Sequence, residues 1–493
     1  MQVGDCLAVF IDREVYMIIA LLAAMKVGAT YIPLDPSYPK ERLQWVLTDS
    51  RPAAVLTNAR LQASVAALED YPELIIIDDP GFDDSPETQQ NPAVSGLSST
   101  MIAYIIYTSG STGRPKDVIV EQGSVINLLQ CIGERLSISH EDRWLAVTTI
   151  AFDIAGLELY LPLITGACVV LCPRDIANDP MALAKLLSTN TITLMQATPT
   201  TWKLLFAVGW SPSPGLQILC GGEPLEHDLA MALITKRNRV WNLYGPTETT
   251  IWSTTEEIEA DSDMICIGSP LWNTQVYILD PHGLPAPIGV EGEIYIGGVG
   301  VARGYLNRSD LTVDKFLPDP FAKLLNTTMY RTGDLAVRLP NGKIVYRGRN
   351  DDLVKIRGFR IELGEIQAHF IGHPEVHEAV VVARKDKSEF RRFMRTLHLS
   401  LKLSRRAETS APILANYLPD YMIPAAYICM SAFPITPNGK LDRRALPFYS
   451  ELLPEFKKRG RAVVAITHDD RYFHYADRVL QMQNGQLSEW VSA

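Results

Sequence analysis

A buried strand that runs into a loop of glycines and hydroxyl groups constrains this chain more than any other segment. Residues 101–107 form an apolar run that is typical of a buried strand. Residues 108–116 then read Thr-Ser-Gly-Ser-Thr-Gly-Arg-Pro-Lys. Glycines let an anion approach the backbone, and hydroxyl and N–H groups together form a donor surface for phosphate. The spacing differs from a Walker A loop, in which the lysine follows a glycine. The segment therefore predicts a phosphate loop of another kind.

Composition limits the class of protein. The chain has 493 residues, which favours about three domains, and its 47% hydrophobic content is enough for large cores. The net charge of −10 argues against nucleic acid as a partner. The longest apolar run, residues 15–25, is too short for a membrane span, and the first residues lack a signal-peptide pattern. We expect a cytoplasmic protein without a membrane span.

Short β-branched runs alternate with amphipathic helical patterns along the first 250 residues. Such runs occur at 53–56, 74–77, 169–171 and 193–195, and the alternation predicts α/β layers with largely parallel sheets. A series of six glycines between Gly289 and Gly304 favours a twisted antiparallel or barrel-like section. A break in composition near residues 348–352 suggests that a smaller domain follows.

Six motifs occur in a fixed order: residues 28–39, 107–116, 242–248 (Asn-Leu-Tyr-Gly-Pro-Thr-Glu), 330–334 (Tyr-Arg-Thr-Gly-Asp), 348–367 and 437–442 (Pro-Asn-Gly-Lys-Leu-Asp). Together they resemble the amino-acid adenylation domains of nonribosomal peptide synthetases. The resemblance implies the α/β adenylate-forming enzyme fold, with a large N-terminal domain that includes a distorted barrel section and a small hinged α+β C-terminal domain. It implies an adenylation core at 1–349 and a small subdomain at 350–447, with a hinge at Asp351 and a further tail at 448–493.

The implied reaction is attack of an amino-acid carboxylate on the α-phosphate of ATP, which gives an aminoacyl-adenylate and pyrophosphate. Thr247 would bond the α-phosphate, and Glu248 would hold Mg²⁺. Lys440 would be the catalytic cation that bridges the substrate carboxylate and the α-phosphate. The positions that the resemblance assigns to ATP are Thr108, Ser109, Gly110, Ser111, Thr112, Gly113, Lys116, Gly222, Glu223, Pro224, Asn242, Tyr244, Gly245, Asp334, Tyr346 and Arg349.

The resemblance also assigns an amino-acid pocket, in which Asp153 would pair with the substrate ammonium group. The other pocket positions are Ile154, Leu157, Gln196, Leu219, Gly221, Leu243, Ile251 and Trp252. This wall is mostly bulky and apolar and has no ionic partner for a charged side chain, so it favours a small amino acid. We expect glycine, with alanine as the alternative, and delivery of the product to a phosphopantetheine thiol on a separate carrier protein.

Four departures from the family pattern put activity in doubt. The family's opening segment is absent, which would expose the apolar strand at residues 7–11. Asp117 stands where the family has glycine and would offset Lys116. Residues 384–406 are strongly basic where the family has a core strand, so they are either a solvated loop or the product of a local frameshift. Residues 448–493 resemble the end of an exporter ATPase of the ABC type, with His468 at the γ-phosphate position, and suggest a gene fusion.

Three alternatives to an active adenylation enzyme stay open. The chain could be a catalytically impaired, truncated fusion remnant, which the four departures favour. It could be an acyl-CoA ligase of the same superfamily, against which the buried Asp153 argues. An export ATPase rests on the tail alone, which has no Walker A loop.

Overall fold

A computed structural model describes residues 2–79, 94, 96–110, 114–235, 237–324, 327–351, 353–356, 358–371, 376–385, 393–401, 415–424, 426–430, 434, 480–483 and 486–489. The chain divides into two compact units, one made of residues 1–366 and 411–422 and the other of 367–410 and 423–493. The division at 349 and 447 that the sequence suggests stays a prediction. In the described part of the chain, no helix has both the length and the apolar character that a bilayer crossing requires.

The first sheet of the larger unit has seven strands in the order β16-β6-β5-β2-β1-β3-β4. Strands β5, β2, β1, β3 and β4 run parallel, whereas β6 pairs antiparallel with β5 and β16. The strands are β1 (Cys6–Phe10), β2 (Thr30–Pro33), β3 (Ala54–Thr57), β4 (Glu73–Ile76), β5 (Ile102–Thr108), β6 (Lys116–Glu121) and β16 (Gly304–Tyr305).

The second sheet also has seven strands, in the order β13-β12-β11-β10-β9-β7-β8. Strands β7 to β11 are parallel, and β12 and β13 are antiparallel additions. The strands are β7 (Arg143–Ala146), β8 (Cys168–Leu171), β9 (Leu194–Ala197), β10 (Gln217–Gly221), β11 (Arg239–Tyr244), β12 (Thr254–Glu257) and β13 (Ser269–Pro270). The predicted parallel α/β layers are confirmed.

An antiparallel sheet lies in the glycine-rich stretch, as the sequence predicts. Its order is β14-β15-β18-β17, and β19 also pairs with β18. The strands are β14 (Thr274–Leu279), β15 (Glu291–Gly298), β17 (Phe316–Pro318), β18 (Thr328–Arg338) and β19 (Ile344–Arg349), and the hairpin β20 (Leu353–Ile356) and β21 (Phe359–Glu362) follows.

Helices connect these strands and cover the two large sheets. They are α1 (Val15–Lys26), α2 (Lys40–Ser50), α3 (Gln62–Ala66), α4 (Gln122–Leu136), α5 (Ile154–Thr165), α6 (Arg174–Asn178), α7 (Pro180–Thr189), α8 (Pro199–Ala207), α9 (His227–Leu233), α10 (Ser309–Lys315) and α11 (Leu363–Ile371). The largest core cluster joins residues of α1, α4 and α5 to residues of both large sheets. Residues 155–162 of α5 are all buried, so this helix is apolar on nearly every side.

The predicted exposure of the first strand is wrong. Strand β1 is a central strand between β2 and β3, and Leu7, Val9 and Ile11 are at most 1% exposed. Apolar exposure is found instead on α1, where Val15 and Ile19 are 63% and 45% exposed.

The smaller unit contains a sheet of three described strands, β22 (Val376–Lys385), β23 (Phe393–Leu401) and β24 (Ala426–Met430). Strand β23 lies inside the basic stretch, so the prediction of a loop is wrong for residues 393–401, while residues 386–392 and 402–406 lie outside the described residues. In the tail, β25 (Leu480–Gln483) pairs with β26 (Gln486–Glu489). His468 and most of 448–493 lie outside the described residues, and the exporter likeness stays a prediction.

Asp117 affects the protein because its carboxyl group is buried, and not because it weakens the charge of Lys116. Successive residues of β6 point to opposite faces of the sheet, and neither oxygen of the fully buried Asp117 carboxylate has a hydrogen-bond partner. Burial, reinforced by the charge of Asp49, raises the pKa of Asp117 to about 8. The predicted offset of the lysine is therefore wrong, since the electrostatic partners of Lys116 are Arg360, Glu248 and Glu362.

We expect Asp117→Asn to stabilise the protein, and more so at high pH. An unfolded aspartate has a pKa near 3.8, so folding favours the protonated form of Asp117 and the free energy of unfolding falls as pH rises from about 4 to about 8. The asparagine side chain does not titrate, so the thermal midpoint of the variant should exceed that of the parent by a few degrees near pH 8 and by less near pH 5.

The fully exposed Asp228 offers a matched control, because Asp228→Asn should leave the midpoint unchanged at both pH values. A gain in Asp117→Asn that is equal at the two pH values would contradict the account.

Candidate active site

The predicted phosphate loop connects two antiparallel strands of the first sheet. Thr108 ends β5 and pairs with Lys116, which begins β6. Ser109 and Lys116 are 4% and 6% exposed, so the loop arises from the interior of the unit. Ser111, Thr112 and Gly113 lie outside the described residues. The predicted strand is thus confirmed, and phosphate binding by the loop and by Lys116 stays a prediction.

Glu248 is the centre of a buried charge cluster next to this loop. Its side chain is fully buried and follows β11 in the 3₁₀ turn Thr247–Thr249. One oxygen accepts from Tyr305 Oη at 2.7 Å and the other from Arg360 Nη1 at 2.5 Å, while Lys116 Nζ lies 3.7 Å away. Burial opposes ionisation, but Arg360 and Lys116 hold the pKa of Glu248 well below its usual value. The carboxylate is therefore charged.

The segment 358–366 contacts the phosphate loop through several hydrogen bonds. Ser109 Oγ donates to the carbonyl of Arg360 at 2.7 Å and accepts from the amide of Glu362 at 3.0 Å. The amide of Gly110 donates to Glu365 Oε2 at 3.0 Å, and Glu365 also pairs with the buried Arg42 at 3.0 Å. These contacts all lie within the larger unit. The loop hydroxyl and amide that phosphate would use are thus engaged by protein groups.

Asp334 accepts hydrogen bonds from three other residues that are predicted to bind the nucleotide. The carboxylate is 1% exposed and accepts from Tyr244 Oη at 2.7 Å, from Tyr346 Oη at 3.3 Å and from Arg349 Nη1 at 2.7 Å. Arg349 also pairs with Asp351, the predicted hinge residue, through two bonds of 2.7 Å. The motifs at 242–248, 330–334 and 348–367, together with Tyr346, therefore meet in space.

The remaining residues that the resemblance assigns to ATP lie in or just after β10 and β11 of the second sheet. Lys355 Nζ is 5.7 Å from the ring centroid of Tyr244, and Glu223 accepts from the amide of Gly358 at 2.7 Å. Pro224 is exposed beside Glu223. The side-chain nitrogen Nδ2 of Asn242 donates to the backbone carbonyl of Cys266 at 2.7 Å. Gly222 has a left-handed φ of 82° that disfavours a side chain.

Asp153 lies immediately before α5 and is 7% exposed. Its Oδ2 is buried and has no hydrogen-bond partner among the residues that the structure describes. Burial raises the pKa of Asp153 to about 6, although a hydrogen bond from Thr247 lowers it. A buried carboxylate oxygen without a partner is costly unless a cation or donor arrives from a ligand. The site therefore suits an ammonium group.

Most of the predicted wall residues belong to the same large core cluster. Leu157, Leu219, Leu243, Ile251 and Trp252 are at most 3% exposed and belong to one core cluster, against which the partly buried Ile154 packs. Gln196 is fully buried and accepts from Trp252 Nε1 at 2.9 Å.

Two glycines allow the close approach of Trp252. A Cβ atom at Gly221 would overlap the Trp252 ring and lie 2.8 Å from the carbonyl oxygen of Leu243. A Cβ atom at Gly245 would lie 2.7 Å from the Cα of Trp252. Thr250 and Ile251 just before it have positive φ angles of 60° and 66°, which is strained for β-branched residues. The position of the Trp252 indole thus requires a strained, left-handed backbone at Thr250 and Ile251.

A divalent cation would fit Glu248 in chemical type. Mg²⁺ commonly takes one or two carboxylates and completes its shell with phosphate oxygens and water. Within the described ranges, no group of three or more His, Cys, Asp or Glu side chains forms a metal site from protein ligands alone. Glu248 therefore suits a cation that is shared with a nucleotide.

Sequence reasoning missed Arg360, Glu362, Tyr305 and Glu158. Arg360 and Glu362 are alternate residues of β21, so their side chains leave the same face of the strand. Glu158 is the only charged residue of the otherwise apolar α5, a signal that the sequence offers. Lys440, the predicted catalytic cation, lies outside the described residues.

Comparison with known proteins decides the family. The AMP-binding enzyme family matches residues 1–306. The chain belongs to the AMP-binding enzymes. It is 44% identical over 452 residues to a dimodular nonribosomal peptide synthase of Bacillus subtilis (strain 168), an alignment that covers 89% of this chain and 18% of that protein. The predicted resemblance to synthetase adenylation domains is confirmed.

Two solved structures agree with this AMP-binding fold. A four-domain nonribosomal peptide synthetase bound to AMP and glycine is 38% identical, with a TM-score of 0.66, and the match covers 91% of this chain and 33% of that one. A synthetase protein that contains adenylation and carrier (PCP) domains, bound to a vinylsulfonamide inhibitor, is 27% identical with a TM-score of 0.77 over 92% of this chain and 76% of that one. The predicted adenylate-forming fold is confirmed. The chain spans about a fifth or less of the length of the first curated relatives.

We expect Arg360→Gln to loosen the segment 358–366. Removing one partner of a buried ion pair commonly costs about 3–5 kcal/mol, because the remaining charge stays buried. Exchange of backbone amide hydrogens in 358–366 should therefore accelerate by at least about tenfold, as followed by mass spectrometry.

Arg360→Lys keeps the charge and should show a smaller acceleration. Adding Glu248→Gln to Arg360→Gln should reverse much of the effect, since the carboxylate that Arg360 compensates is then removed, while Lys116 still pairs with Glu362. Unchanged exchange in Arg360→Gln would show that the ion pair does not hold the segment.

Proposed function

We propose that this AMP-binding enzyme activates a small amino acid, glycine before alanine, as an aminoacyl-adenylate for nonribosomal peptide synthesis. ATP would supply the adenylyl group and Mg²⁺ would accompany it. The product would pass to the phosphopantetheine thiol of a carrier protein supplied by another chain. The relative that was solved with AMP and glycine supports this substrate class.

A single observation carries the proposal: among the described residues, none bonds the buried Oδ2 of Asp153. The oxygen is buried without a donor, which suits a substrate ammonium group. The Trp252 ring lies where a Cβ of Gly221 would be, which leaves little volume for a substrate side chain. Overpacking a rigid pocket commonly costs about 1–3 kcal/mol, so even the methyl group of alanine would be disfavoured.

The proposed reaction joins two anions, so positive charge and hydrogen-bond donors must surround them. An amino-acid carboxylate oxygen attacks the α-phosphorus, and the bond to the β-phosphate oxygen breaks as pyrophosphate leaves. Thr108 to Gly113 and Lys116 would hold the leaving group, and Thr247 the α-phosphate. Asp334 would accept from the ribose hydroxyls, with adenine against Tyr244.

Lys440 would neutralise charge between the attacking carboxylate and the α-phosphate, a role that rests on the family motif. Mg²⁺ held by Glu248 would supply further positive charge to the phosphate oxygens when bound. The segment 358–366 supplies Arg360 to Glu248 and the partners of Ser109 and Gly110, so it would have to leave these three residues before a nucleotide could use them. Asp351 is the proposed hinge for this movement.

Two alternatives predict different results. An acyl-CoA ligase would have to bury an apolar acid beside Asp153, which leaves that carboxylate without a partner. An impaired remnant would fold but would turn over no substrate.

The direct test is ATP–pyrophosphate exchange by the purified chain with each of the twenty amino acids. We expect glycine to give the highest rate and alanine the next, and Lys440→Ala to abolish exchange without lowering the thermal midpoint. Exchange with a large amino acid as the best substrate would overturn the pocket assignment. A folded protein that exchanges with no amino acid would favour the remnant.

We expect kcat/KM for glycine to depend on the ionisation of Asp153. The free enzyme must hold the carboxylate charged to bind an ammonium group, and its pKa is raised to about 6. As pH falls below about 6, kcat/KM should decrease by about tenfold per pH unit, with a plateau above about pH 7. A flat profile from about pH 5 to about pH 8 would rule out this role.

Asp153→Asn removes the titrating group and is the matched variant. It should lower kcat/KM for glycine at all pH values by at least about a hundredfold and should eliminate the acidic limb. Thermal midpoints measured across the same pH range will show whether any loss comes from unfolding.

A further inference from the structure

A buried chain of hydrogen bonds runs from α5 to the pocket wall. Glu158 Oε1 accepts from Gln196 Nε2 at 3.0 Å, and Gln196 Oε1 accepts from Trp252 Nε1 at 2.9 Å. Glu158 and Gln196 are 0% exposed and Trp252 is 2% exposed. Glu158 is not among the predicted pocket residues, and none of the preceding steps uses it.

The chemistry of the neighbours fixes the direction of this chain. An indole N–H can only donate, so Gln196 must turn its oxygen toward Trp252. The amide nitrogen then needs acceptors, and it finds Glu158 Oε1 and the carbonyl of Ile154, each at 3.0 Å. If an acceptor were lost on that side, a reversed amide would leave the indole facing a donor.

Glu158 is itself held so that it can serve only as an acceptor toward Gln196. Its Oε2 accepts from the backbone amides of Val147 and Thr148, both at 2.9 Å. Its Oε1 also accepts from Thr148 Oγ1 at 2.6 Å. These donors just after β7 orient the carboxylate independently of its bond to Gln196. The far end of the chain, Trp252, contacts Gly221 where the substrate side chain would lie.

We propose that Glu158 is a positioning residue for substrate specificity, which fixes the amide of Gln196 and so locks the Trp252 indole over Gly221. This inference rests on the proposed function of the pocket. A locked indole cannot yield to a larger substrate, whereas an indole without its acceptor can rotate or shift. Glu158 thus sets the size limit without touching the amino acid.

The test compares alanine and glycine in pyrophosphate exchange by Glu158→Gln. An amide at position 158 keeps its oxygen toward the two backbone donors and presents –NH₂ to Gln196, which must then reverse. The ratio of kcat/KM for alanine to that for glycine should rise on the order of tenfold, the range that one methylene group gives in a close-fitting pocket. An unchanged ratio would overturn the proposal.

Two further variants separate positioning from general destabilisation. Thr148→Val removes the 2.6 Å bond to the same oxygen of Glu158 but leaves the direction of the Gln196 amide unchanged. It should lower the thermal midpoint without raising the ratio. In a Trp252→Phe background, which has no indole N–H, Glu158→Gln should change the ratio no further. An equal rise in that background would show that the effect bypasses Trp252.

A spectroscopic readout keeps this inference separate from the proposed function. In protein labelled with ¹⁵N-tryptophan, the indole resonance that Trp252→Phe removes is the resonance of Trp252. Glu158→Gln should shift that resonance upfield and accelerate its hydrogen exchange, while the other indole resonances stay in place. If the chain activates no amino acid, the proposed function fails, yet this shift still supports the lock. A resonance that does not move overturns the lock even in a glycine-activating enzyme.

Discussion

The buried carboxylate of Glu248 is the interaction on which the site depends. It lies at the carboxyl end of β11 and is compensated by Lys116 from β6 and by Arg360 from β21. Three separate elements are therefore held together by one negative charge that is out of reach of water. Such a group is expensive to leave unpaired, so whichever cation occupies it determines what the site can do. With Arg360 in contact, the charge holds protein segments together; with a metal and phosphate, it would serve chemistry.

Much of the fold and most of the site follow from local patterns. The β-branched runs predicted β3, β4, β8 and β9 within about two residues, because buried parallel strands read as short apolar runs. The ordered motifs predicted that Tyr244, Asp334 and Arg349 meet, whereas the assignment of Asp153 and Trp252 to one substrate pocket stays a prediction. The burial of β1 and of Asp117 could not be predicted, because both depend on which strand becomes central in the sheet. The contact between Arg360 and Glu248 joins residues more than a hundred positions apart in the sequence, and no local sequence pattern predicts it.

In the proposed pocket, specificity would depend on rigidity as much as on shape. Trp252 reaches Gly221 only because Gly245 has no side chain and because Thr250 and Ile251 accept left-handed backbone angles. Strain of this kind persists where surrounding bonds over-determine the conformation. Gln196 supplies one such bond to the indole. A pocket wall made only of leucine and isoleucine would adapt to an added methyl group more readily than one that is hydrogen-bonded in place.

Two neighbouring carboxylates have opposite ionisation behaviour, and this difference assigns their roles. Glu248 is buried but faces Arg360 and Lys116, which hold its pKa well below the usual value. Asp153 is also buried, is not paired with a cation among the described residues, and has its pKa raised to about 6 by burial. Environments that shift the pKa values of two acids in opposite directions commonly give the two acids different roles. Glu248 already has its positive partners within the protein, whereas Asp153 is left to obtain one from a ligand. In the proposed function the ammonium group of an amino acid would bond the Oδ2 of Asp153, whereas a simple carboxylic acid would leave that oxygen unpaired.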